Sequence, residues 1–131
     1  MRVEAQSFTL SAVKLLLDNL PAGLRSQRES LAKCLEAIGG VATVRAVYLF
    51  GSHARGEARP ASDVDLCIVA DGAERQLETA ARFREAIWDV WPRPAFTFIP
   101  ITPARLAEKQ STHDHFFATI LKEGVLLAAQ D

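Results

Sequence analysis

One stretch, residues 47–69, constrains the fold of this chain most strongly because it joins two apolar segments through a polar loop. It reads VYLFGSHARGEARPASDVDLCIV. The first segment, residues 46–50, is apolar on both faces, which is typical of a strand buried inside a sheet. A spacer of ten residues then separates Gly51-Ser52 from Asp63-Val64-Asp65, which opens a second apolar strand. This layout predicts a chemical site between two buried strands.

The turn after the first strand is predicted to bind an anion. Gly51 permits a backbone bend or the close approach of a ligand. Ser52 is predicted to cap a short helix whose backbone N–H groups point outward, which would form an anion site. The loop that follows is locally basic, since it carries His53, Arg55 and Arg59 with Glu57 as its only acid.

The two aspartates at the head of the second strand are predicted to bind a metal ion. Because Asp63 and Asp65 are two residues apart, both carboxylates leave the same face of the strand, about 6.5–7 Å apart. Like charges at this spacing destabilise each other unless a cation lies between them, and carboxylate oxygens suit Mg²⁺ shared with substrate phosphates. A Gly-Ser turn or an Asp-x-Asp alone is more often structural. The combination favours a site for a metal–nucleoside triphosphate.

Gly51-Ser52 with Ala54-Arg55-Gly56, followed by Ser62-Asp63-x-Asp65-Leu66, resembles the signature of the DNA polymerase β-like nucleotidyltransferases. The small size is similar to that of the minimal nucleotidyltransferases (MNT), prokaryotic proteins often paired with a HEPN-domain toxin. The resemblance covers roughly residues 41–127 and includes FFATILKEGVLL near the end. It implies an α/β (α+β) fold, a small mixed β-sheet flanked by helices. The predicted order of helices and strands indicates the same architecture.

The resemblance also implies a reaction and a role for each site residue. The reaction is AMP transfer from ATP with Mg²⁺, in which Asp63 and Asp65 are the catalytic and metal-binding residues. Ser52, with nearby N–H groups, would hold the β- and γ-phosphates, and Gly51 would belong to the cofactor-binding residues through the backbone shape that it permits. Arg55 would contact phosphate, although a structural salt bridge to Glu57 or another acid is an equal alternative.

One position departs from the family pattern. The family commonly has a third carboxylate on the strand after the long helix, and Thr97 falls where that acid is expected. Threonine is neither an anionic ligand nor a base near neutral pH, and no Asp or Glu occurs between Asp89 and Glu108. Three outcomes stay open: slow transfer, activation of the nucleophile by a partner, or nucleotide binding without catalysis.

Three functions therefore remain open. The first, by resemblance, is an antitoxin that transfers AMP to a tyrosine of a HEPN-type toxin. The second is a weakened nucleotide-binding antitoxin that blocks its toxin sterically, and the third is a stand-alone small-molecule nucleotidyltransferase. The formal net charge of −1 gives no global attraction to nucleic acid, so direct nucleic-acid binding is not expected. A homo- or hetero-oligomer is left open.

The whole chain, residues 1–131, is predicted to be one nucleotidyltransferase domain, with an N-terminal helical pair at residues 1–40 and a catalytic core at residues 41–131. The polar start of the chain and the charges in its first apolar run favour neither a signal peptide nor a membrane span. A cytoplasmic protein is expected. Cys34 and Cys67 lack metal-site spacing and are interpreted as buried thiols.

Helical periodicity predicts the remaining elements. Apolar stripes predict a first helix over residues 13–20 and a second over residues 26–38, the latter with a Ser26–Glu29 capping box. Asp71 is predicted to cap a third helix that packs its apolar residues in the core, including Leu77, Trp88 and Trp91. A strand is predicted over residues 95–101, followed by a helix that begins at Thr102. A last helix is predicted to begin at Ser111 or Thr112 and to end at Gly124. Its packing residues are predicted to be Phe116, Phe117, Ile120 and Leu121.

Overall fold

The computed structural model describes residues 13–130 and forms one mixed sheet with helices on its faces. The elements are, in order, β1 (Val13–Leu15), α1 (Arg28–Gly39), β2 (Thr43–Phe50), α2 (Gly51–Ala54), β3 (Val64–Asp71), α3 (Gln76–Ala86), β4 (Phe96–Ile101), α4 (Pro103–Ser111), α5 (His115–Glu123) and β5 (Val125–Gln130). Two short 3₁₀ helices, Leu17–Asn19 and Ala22–Gln27, lie between β1 and α1.

The five strands are arranged in the order β1-β5-β2-β3-β4. β3 and β4 are parallel, and the other neighbouring pairs are antiparallel. The parallel pair requires a crossover connection, which α3 provides. The predicted α/β fold with a small mixed sheet flanked by helices is therefore confirmed.

Alternation along β3 divides the core between the two faces of the sheet. Its even-numbered residues, Val64, Leu66, Ile68 and Ala70, join a large cluster that also contains residues of α1 and α3. Its odd-numbered residues Cys67 and Val69 join a smaller cluster with Phe117 and Ile120 of α5. Because side chains two apart share a face, Asp65 lies on the same face as α5, at the beginning of the strand.

The predicted first helix over residues 13–20 is wrong. Val13–Leu15 is a strand that pairs with β5, and only a short 3₁₀ turn follows it. A short run of valine and leucine satisfies both periodicities, and the free edge of β5 offers hydrogen bonds that decide in favour of the strand. β5 itself was not predicted as a strand. Residues 1–12 lie outside the described part, so the interpretation of the polar start of the chain stays a prediction.

The second helix is confirmed as α1, with Leu31, Cys34, Leu35 and Ile38 buried. Its predicted capping box is wrong. Gln27 occupies the N-cap position without a side-chain hydrogen bond. Ser26 instead belongs to the 3₁₀ helix that leads directly into α1. Both cysteines, Cys34 and Cys67, are free and buried, as predicted.

The third helix exists, but its predicted start and packing face are largely wrong. α3 begins at Gln76, and Asp71 belongs to β3, where its carboxylate accepts hydrogen bonds from Arg45. Leu77, Trp88 and Trp91 are 89%, 70% and 71% exposed. The buried face consists of Thr79, Ala80 and Phe83, followed by Ile87. The ring of Phe83 packs edge-on against Phe98 of β4 at 5.8 Å, which sets the face that α3 turns to the sheet.

The C-terminal elements largely agree with the sequence. β4 covers six of the seven residues predicted, and the Thr102 hydroxyl caps α4 by accepting from the Arg105 N–H. The last helix is capped by Asp114, not by Ser111 or Thr112, and ends at Gly124 as predicted. Phe117 and Ile120 are buried, whereas Phe116 is 47% exposed. No helix within residues 13–130 is long and apolar enough to span a membrane.

Candidate active site

The predicted site residues meet where three neighbouring strands end or begin. Phe50, the last residue of β2, pairs with Asp65 near the start of β3. Asp65 in turn pairs with Thr97 of the parallel strand β4. Gly51 follows Phe50 directly and opens α2. The sheet register thus brings Gly51, Asp65 and Thr97 together at one end of the sheet.

Gly51 is in close contact with the carboxylate of Asp65. Its φ is +76°, in the left-handed region that favours glycine. A Cβ atom at this position would overlap Oδ2 of Asp65. The predicted backbone bend at this glycine is therefore present, and the group that approaches it is the carboxylate of Asp65. The approach of a ligand stays a prediction.

Ser52 does not cap α2, so that prediction is wrong. The N-cap residue is Phe50, which makes no side-chain cap, and Ser52 is the second residue of the helix. The reason is that the chain turns helical at Gly51, two residues earlier than a serine cap at position 52 requires. The first N–H groups of a helix have no acceptor within it, so those of Gly51 and Ser52 remain available for an anion.

Asp63 and Asp65 lie beside one threonine hydroxyl. Asp63 immediately precedes β3, and its Oδ2 accepts a hydrogen bond from Thr97 Oγ1 at 3.1 Å. The same hydroxyl lies close enough to Asp65 to lower its pKa. A threonine has one O–H proton, so it donates to one carboxylate at a time. The two acids therefore converge on a single point, at the position where the sequence places Thr97 in the family pattern.

The pKa of Asp65 is raised, chiefly because burial removes water from its carboxylate. The nearby negative charge of Asp63 raises it further. The Thr97 hydrogen bond and the charges of His53 and Arg55 act in the opposite direction. A partly buried carboxylate beside a like charge is stabilised by a cation, so the electrostatics of this pair favour metal binding.

Arg55 is engaged in a salt bridge. Its Nε donates to Oε1 of Glu57 at 2.9 Å, which is the structural alternative left open by the sequence. Its pKa is raised, first by this hydrogen bond and then by the charges of Glu57, Glu123 and Asp65. Arg55 therefore interacts electrostatically with Asp65 and adds positive potential at the site, while its guanidinium is hydrogen-bonded to Glu57.

Hydrogen bonds to Ser62 hold the basic loop against the start of β3. The backbone N–H of Arg59 donates to Ser62 Oγ at 2.9 Å, and the N–H of Ser62 donates to the carbonyl of Arg59 at 2.9 Å. Nε2 of His53 lies 3.3 Å from the Ser62 carbonyl. These contacts hold the segment just before Asp63 and so fix the position of the backbone from which Asp63 projects.

The donor set fits one kind of metal ion. Within residues 13–130, no group of three or more His, Cys, Asp or Glu side chains is placed to hold a metal ion. Two carboxylates and a hydroxyl are hard oxygen donors, and Mg²⁺ is characteristically held by one or two carboxylates together with water and substrate phosphates. Asp63 and Asp65 therefore suit Mg²⁺ that arrives with a nucleotide better than a permanently bound structural metal.

Two cavities are lined in part by Phe116 of α5, and sequence reasoning found neither. A cleft of about 730 Å³ runs between α4, α5 and β4, and is lined by residues including Ile99, Arg105, Glu108 and Lys109. A smaller cavity of about 390 Å³, named here the Phe116 pocket, is lined by Phe50, Gly51, Arg55, His115, Phe116, Thr119, Ile120 and Glu123. Helical spacing alone placed Phe116 in the core, so the sequence carried no signal for this pocket.

Comparisons with known proteins found a family model and a solved structure that are similar to this chain. A family model described as nucleotidyltransferase domain matches residues 28–118. A crystal structure of a candidate nucleotidyltransferase from Sulfolobus solfataricus shares 18% identity with a TM-score of 0.49 and covers 95% of this chain and 83% of that one. No protein among those with curated functions matches the sequence.

Proposed function

Because this chain belongs to the nucleotidyltransferase domain family, we propose that it transfers AMP from ATP to a tyrosine hydroxyl of a HEPN-type toxin and so acts as an antitoxin. Nucleotidyl transfer in general follows from the family. The donor, the acceptor and the antitoxin role are the proposal. The observation that carries it is the convergence of Asp63 and Asp65 on Thr97 beside the glycine turn.

In the proposed reaction, the tyrosine oxygen forms a bond to the α-phosphorus of ATP. The bond from that phosphorus to the oxygen bridging to the β-phosphate breaks, pyrophosphate leaves, and the tyrosine proton passes to solvent. Mg²⁺, when bound, neutralises charge on the phosphate oxygens. Asp63 and Asp65 would hold it, and the N–H groups at the start of α2 would orient the β- and γ-phosphates.

A protein acceptor is supported by exposed aromatic residues at the same end of the sheet. α3 connects two parallel strands, so it returns the chain to the end where β3 begins. Trp88 and Trp91 lie in the segment that follows, and the N–H of Val64 bonds to the carbonyl of Ala95 in that segment. Exposed tryptophans are enriched at protein interfaces. This surface, defined by Trp88 and Trp91, is named the tryptophan surface.

A second candidate function is favoured by Thr97. With threonine beside both acids, the described site holds no third carboxylate to accept the proton of the nucleophile. Loss of a general base typically lowers a rate by about 10²–10⁴-fold. The second candidate is therefore a nucleotide-binding antitoxin that blocks its toxin sterically. The third candidate is a stand-alone transferase that acts on a small acceptor.

The test is incubation with ATP, Mg²⁺ and the protein encoded by the neighbouring reading frame, which is the proposed toxin, read by intact mass. One added adenylate per toxin is expected with the wild type and with Asp18→Asn, a control at an exposed ion pair that includes none of the site residues. No adenylate is expected with Asp63→Asn or Asp65→Asn, or after removal of Mg²⁺ by chelation.

Two other results would favour the other candidates. If Asp63→Ala neutralises the toxin as well as the wild type does, and no adenylate forms, the protein acts sterically. If ATP is consumed with a small hydroxylated acceptor in the absence of any protein partner, the chain is a stand-alone transferase. The first result contradicts the first candidate directly, and the second does so when the toxin receives no adenylate.

A further inference from the structure

We propose that His53 is a positioning residue for Asp63, and that it thereby sets the affinity of the acid pair for Mg²⁺. Its imidazole connects α2, where the phosphates are proposed to lie, to the acid that precedes β3. This inference rests on the Mg²⁺ role of the acid pair in the proposed function and adds a residue on which that role depends. The sequence indicated only that His53 contributes to a basic loop.

The backbones of the two acids are held in different ways. Asp65 lies within β3 and pairs with Phe50 on one side and with Thr97 on the other. Asp63 precedes the strand, because pairing with β2 begins at Asp65 and pairing with β4 begins at Val64. Strand pairing therefore fixes the backbone of Asp65, whereas the backbone of Asp63 depends on the contacts of its two neighbours in the chain.

Both neighbours of Asp63 are hydrogen-bonded. On its C-terminal side, the N–H of Val64 donates to the carbonyl of Ala95 at 2.8 Å. On its N-terminal side, Nε2 of His53 lies 3.3 Å from the carbonyl oxygen of Ser62. A carbonyl oxygen only accepts, so Nε2 carries a proton and donates it. The first bond ties Asp63 to the chain just before β4, and the second ties it to α2.

α2 is in contact with both sides of the acid pair. Gly51, its first residue, lies against the carboxylate of Asp65. His53, its third residue, is partly buried and reaches Asp63 through the carbonyl of Ser62. Loss of the imidazole should therefore shift Asp63 relative to Asp65. Because a shared metal ion requires a fixed spacing of its carboxylate ligands, such a shift should lower metal affinity.

The bond from His53 is separable from the closure of the loop and from the charge of the imidazole. Oγ and N–H of Ser62 are both bonded to the backbone of Arg59, so the turn of the loop does not depend on His53. The charge of His53 also lowers the pKa of Asp65. That effect requires a charge, whereas the positioning of Asp63 requires only a donor. A neutral donor at position 53 therefore distinguishes the two.

The experiment measures ATP affinity by calorimetry with Mg²⁺ and again after chelation, and the ratio of the two affinities is the Mg²⁺ gain. His53→Leu removes the donor, and His53→Gln keeps a neutral amide N–H at a similar reach. Groups that orient a metal ligand commonly contribute about 10–100-fold to metal affinity, and His53 acts through a backbone carbonyl, so His53→Leu is expected to lower the Mg²⁺ gain about tenfold. Metal-free ATP affinity should be unchanged, and His53→Gln should restore most of the gain.

Controls separate this effect from damage to the fold. His113→Asn replaces an exposed imidazole elsewhere and should change neither affinity. Urea midpoints report whether each variant is folded, and His53→Ala, which favours a helix, replaces His53→Leu if the latter does not fold. Nitrogen NMR of the wild-type imidazoles requires no variant and is expected to show His53 protonated at Nε2.

Distinct outcomes separate the two proposals. An unchanged Mg²⁺ gain in the donor-less variant, no recovery in His53→Gln, or an Nε2 without a proton would each overturn the role of His53 and leave the proposed function standing. A wild type that gains ATP affinity from Mg²⁺ but adenylates no protein would contradict the proposed acceptor and leave the role of His53 in place. A wild type without any Mg²⁺ gain would overturn both.

Discussion

Gly51 is the residue on which the geometry of the acid pair depends most directly, because it contacts the Asp65 carboxylate at a backbone angle that other residues rarely adopt. Gly56 has nearly the same φ, +73°, but open space where a Cβ would be placed. The two glycines share the backbone requirement and differ only in the contact. They therefore form a matched pair within one loop.

Gly51→Ala is expected to lower the transfer rate on the order of a hundredfold, because a displacement of about 1 Å at a catalytic group has effects of that size. Gly56→Ala is expected to destabilise the fold by about 1–2 kcal/mol through its positive φ and to leave the rate unchanged. Urea denaturation and transfer assays of both variants measure the two effects. Equal rates in the two alanine variants would show that the Asp65 contact has no catalytic role.

Thr97→Asp is expected to raise the transfer rate by about 10²–10⁴-fold, because it would place a third carboxylate beside Asp63 and Asp65. Three adjacent carboxylates also repel one another, so the thermal stabilisation by Mg²⁺ should increase relative to the wild type. Thr97→Val keeps the shape without a donor and is the control for both readouts. A Thr97→Asp protein with no larger Mg²⁺ response than Thr97→Val would contradict this account of the site.

The residues of the candidate site that lie in one continuous motif could be predicted from the sequence. Those that reach the site through the packing of a helix on the sheet could not. Gly51, Asp63 and Asp65 are close in sequence, and strand register carries the pattern to Thr97. Phe116 and Glu123 reach the site only because α5 packs on the odd-numbered face of β3. Spacing along a helix does not reveal which part of its stripe the sheet covers.

At the level of elements, helix starts show how local signals compete. Thr102 was predicted correctly because threonine before proline offers both a cap and a preset φ. The other predicted caps, Ser26, Ser52 and Asp71, also have side chains that can accept a hydrogen bond, but the backbone around each sets a different helix start. A 3₁₀ helix contains Ser26, a glycine turn precedes Ser52, and Asp71 pairs within β3. A cap residue is thus a useful signal only where no stronger backbone constraint lies beside it.

Thr102→Ala is expected to destabilise the protein by about 0.5–2 kcal/mol, because the first N–H groups of α4 lose their side-chain acceptor. Thr112→Ala is the matched control at the other end of the same helix. The Thr112 hydroxyl donates to the Glu108 carbonyl, which already accepts from the Thr112 N–H. Chemical denaturation should show the larger loss for Thr102→Ala, and equal losses would argue against the cap.

Arg45 links three strands, and its pairing has a predicted pH dependence. Its guanidinium donates to both carboxylate oxygens of Asp71 and to Gln130 Oε1. The hydrogen bond from Arg45 is the main reason that the pKa of Asp71 is lowered. A lowered pKa stabilises the folded state above the ordinary value of about 3.9 and loses that effect as the pH falls through the folded value.

Asp71→Asn should therefore lower the urea midpoint at pH 7, and its effect should shrink as the pH falls through the folded pKa of Asp71 and the carboxylate becomes protonated. The effect should be small because both side chains are partly exposed. In an Arg45→Met background, the difference between Asp71 and Asp71→Asn should lose most of its pH dependence. A difference that persists in that background would assign the effect to another partner of Asp71.

At the scale of the whole molecule, the acid pair and the tryptophan surface are separate features brought to one end of the sheet by the direction of α3. Trp88 and Trp91 follow the end of α3, whereas the equally exposed Leu77 lies near its start, toward the opposite end of the sheet. If the tryptophan surface binds the protein acceptor, nucleotide binding and acceptor binding are separable by substitution.

A Trp88→Ala/Trp91→Ala double variant is expected to weaken acceptor binding at least tenfold, since buried aromatic anchors at interfaces commonly contribute this much. Its Mg-ATP affinity should equal that of the wild type, because neither residue belongs to the acid pair or to the glycine turn. Leu77→Ala removes an exposed apolar side chain at the other end of α3 and should change neither affinity. Calorimetry with the toxin and with Mg-ATP measures both. Toxin binding that is weakened by Leu77→Ala but not by the double variant would place the acceptor at the opposite end of the helix. A tyrosine bound there would lie too far from Asp63 and Asp65 for transfer.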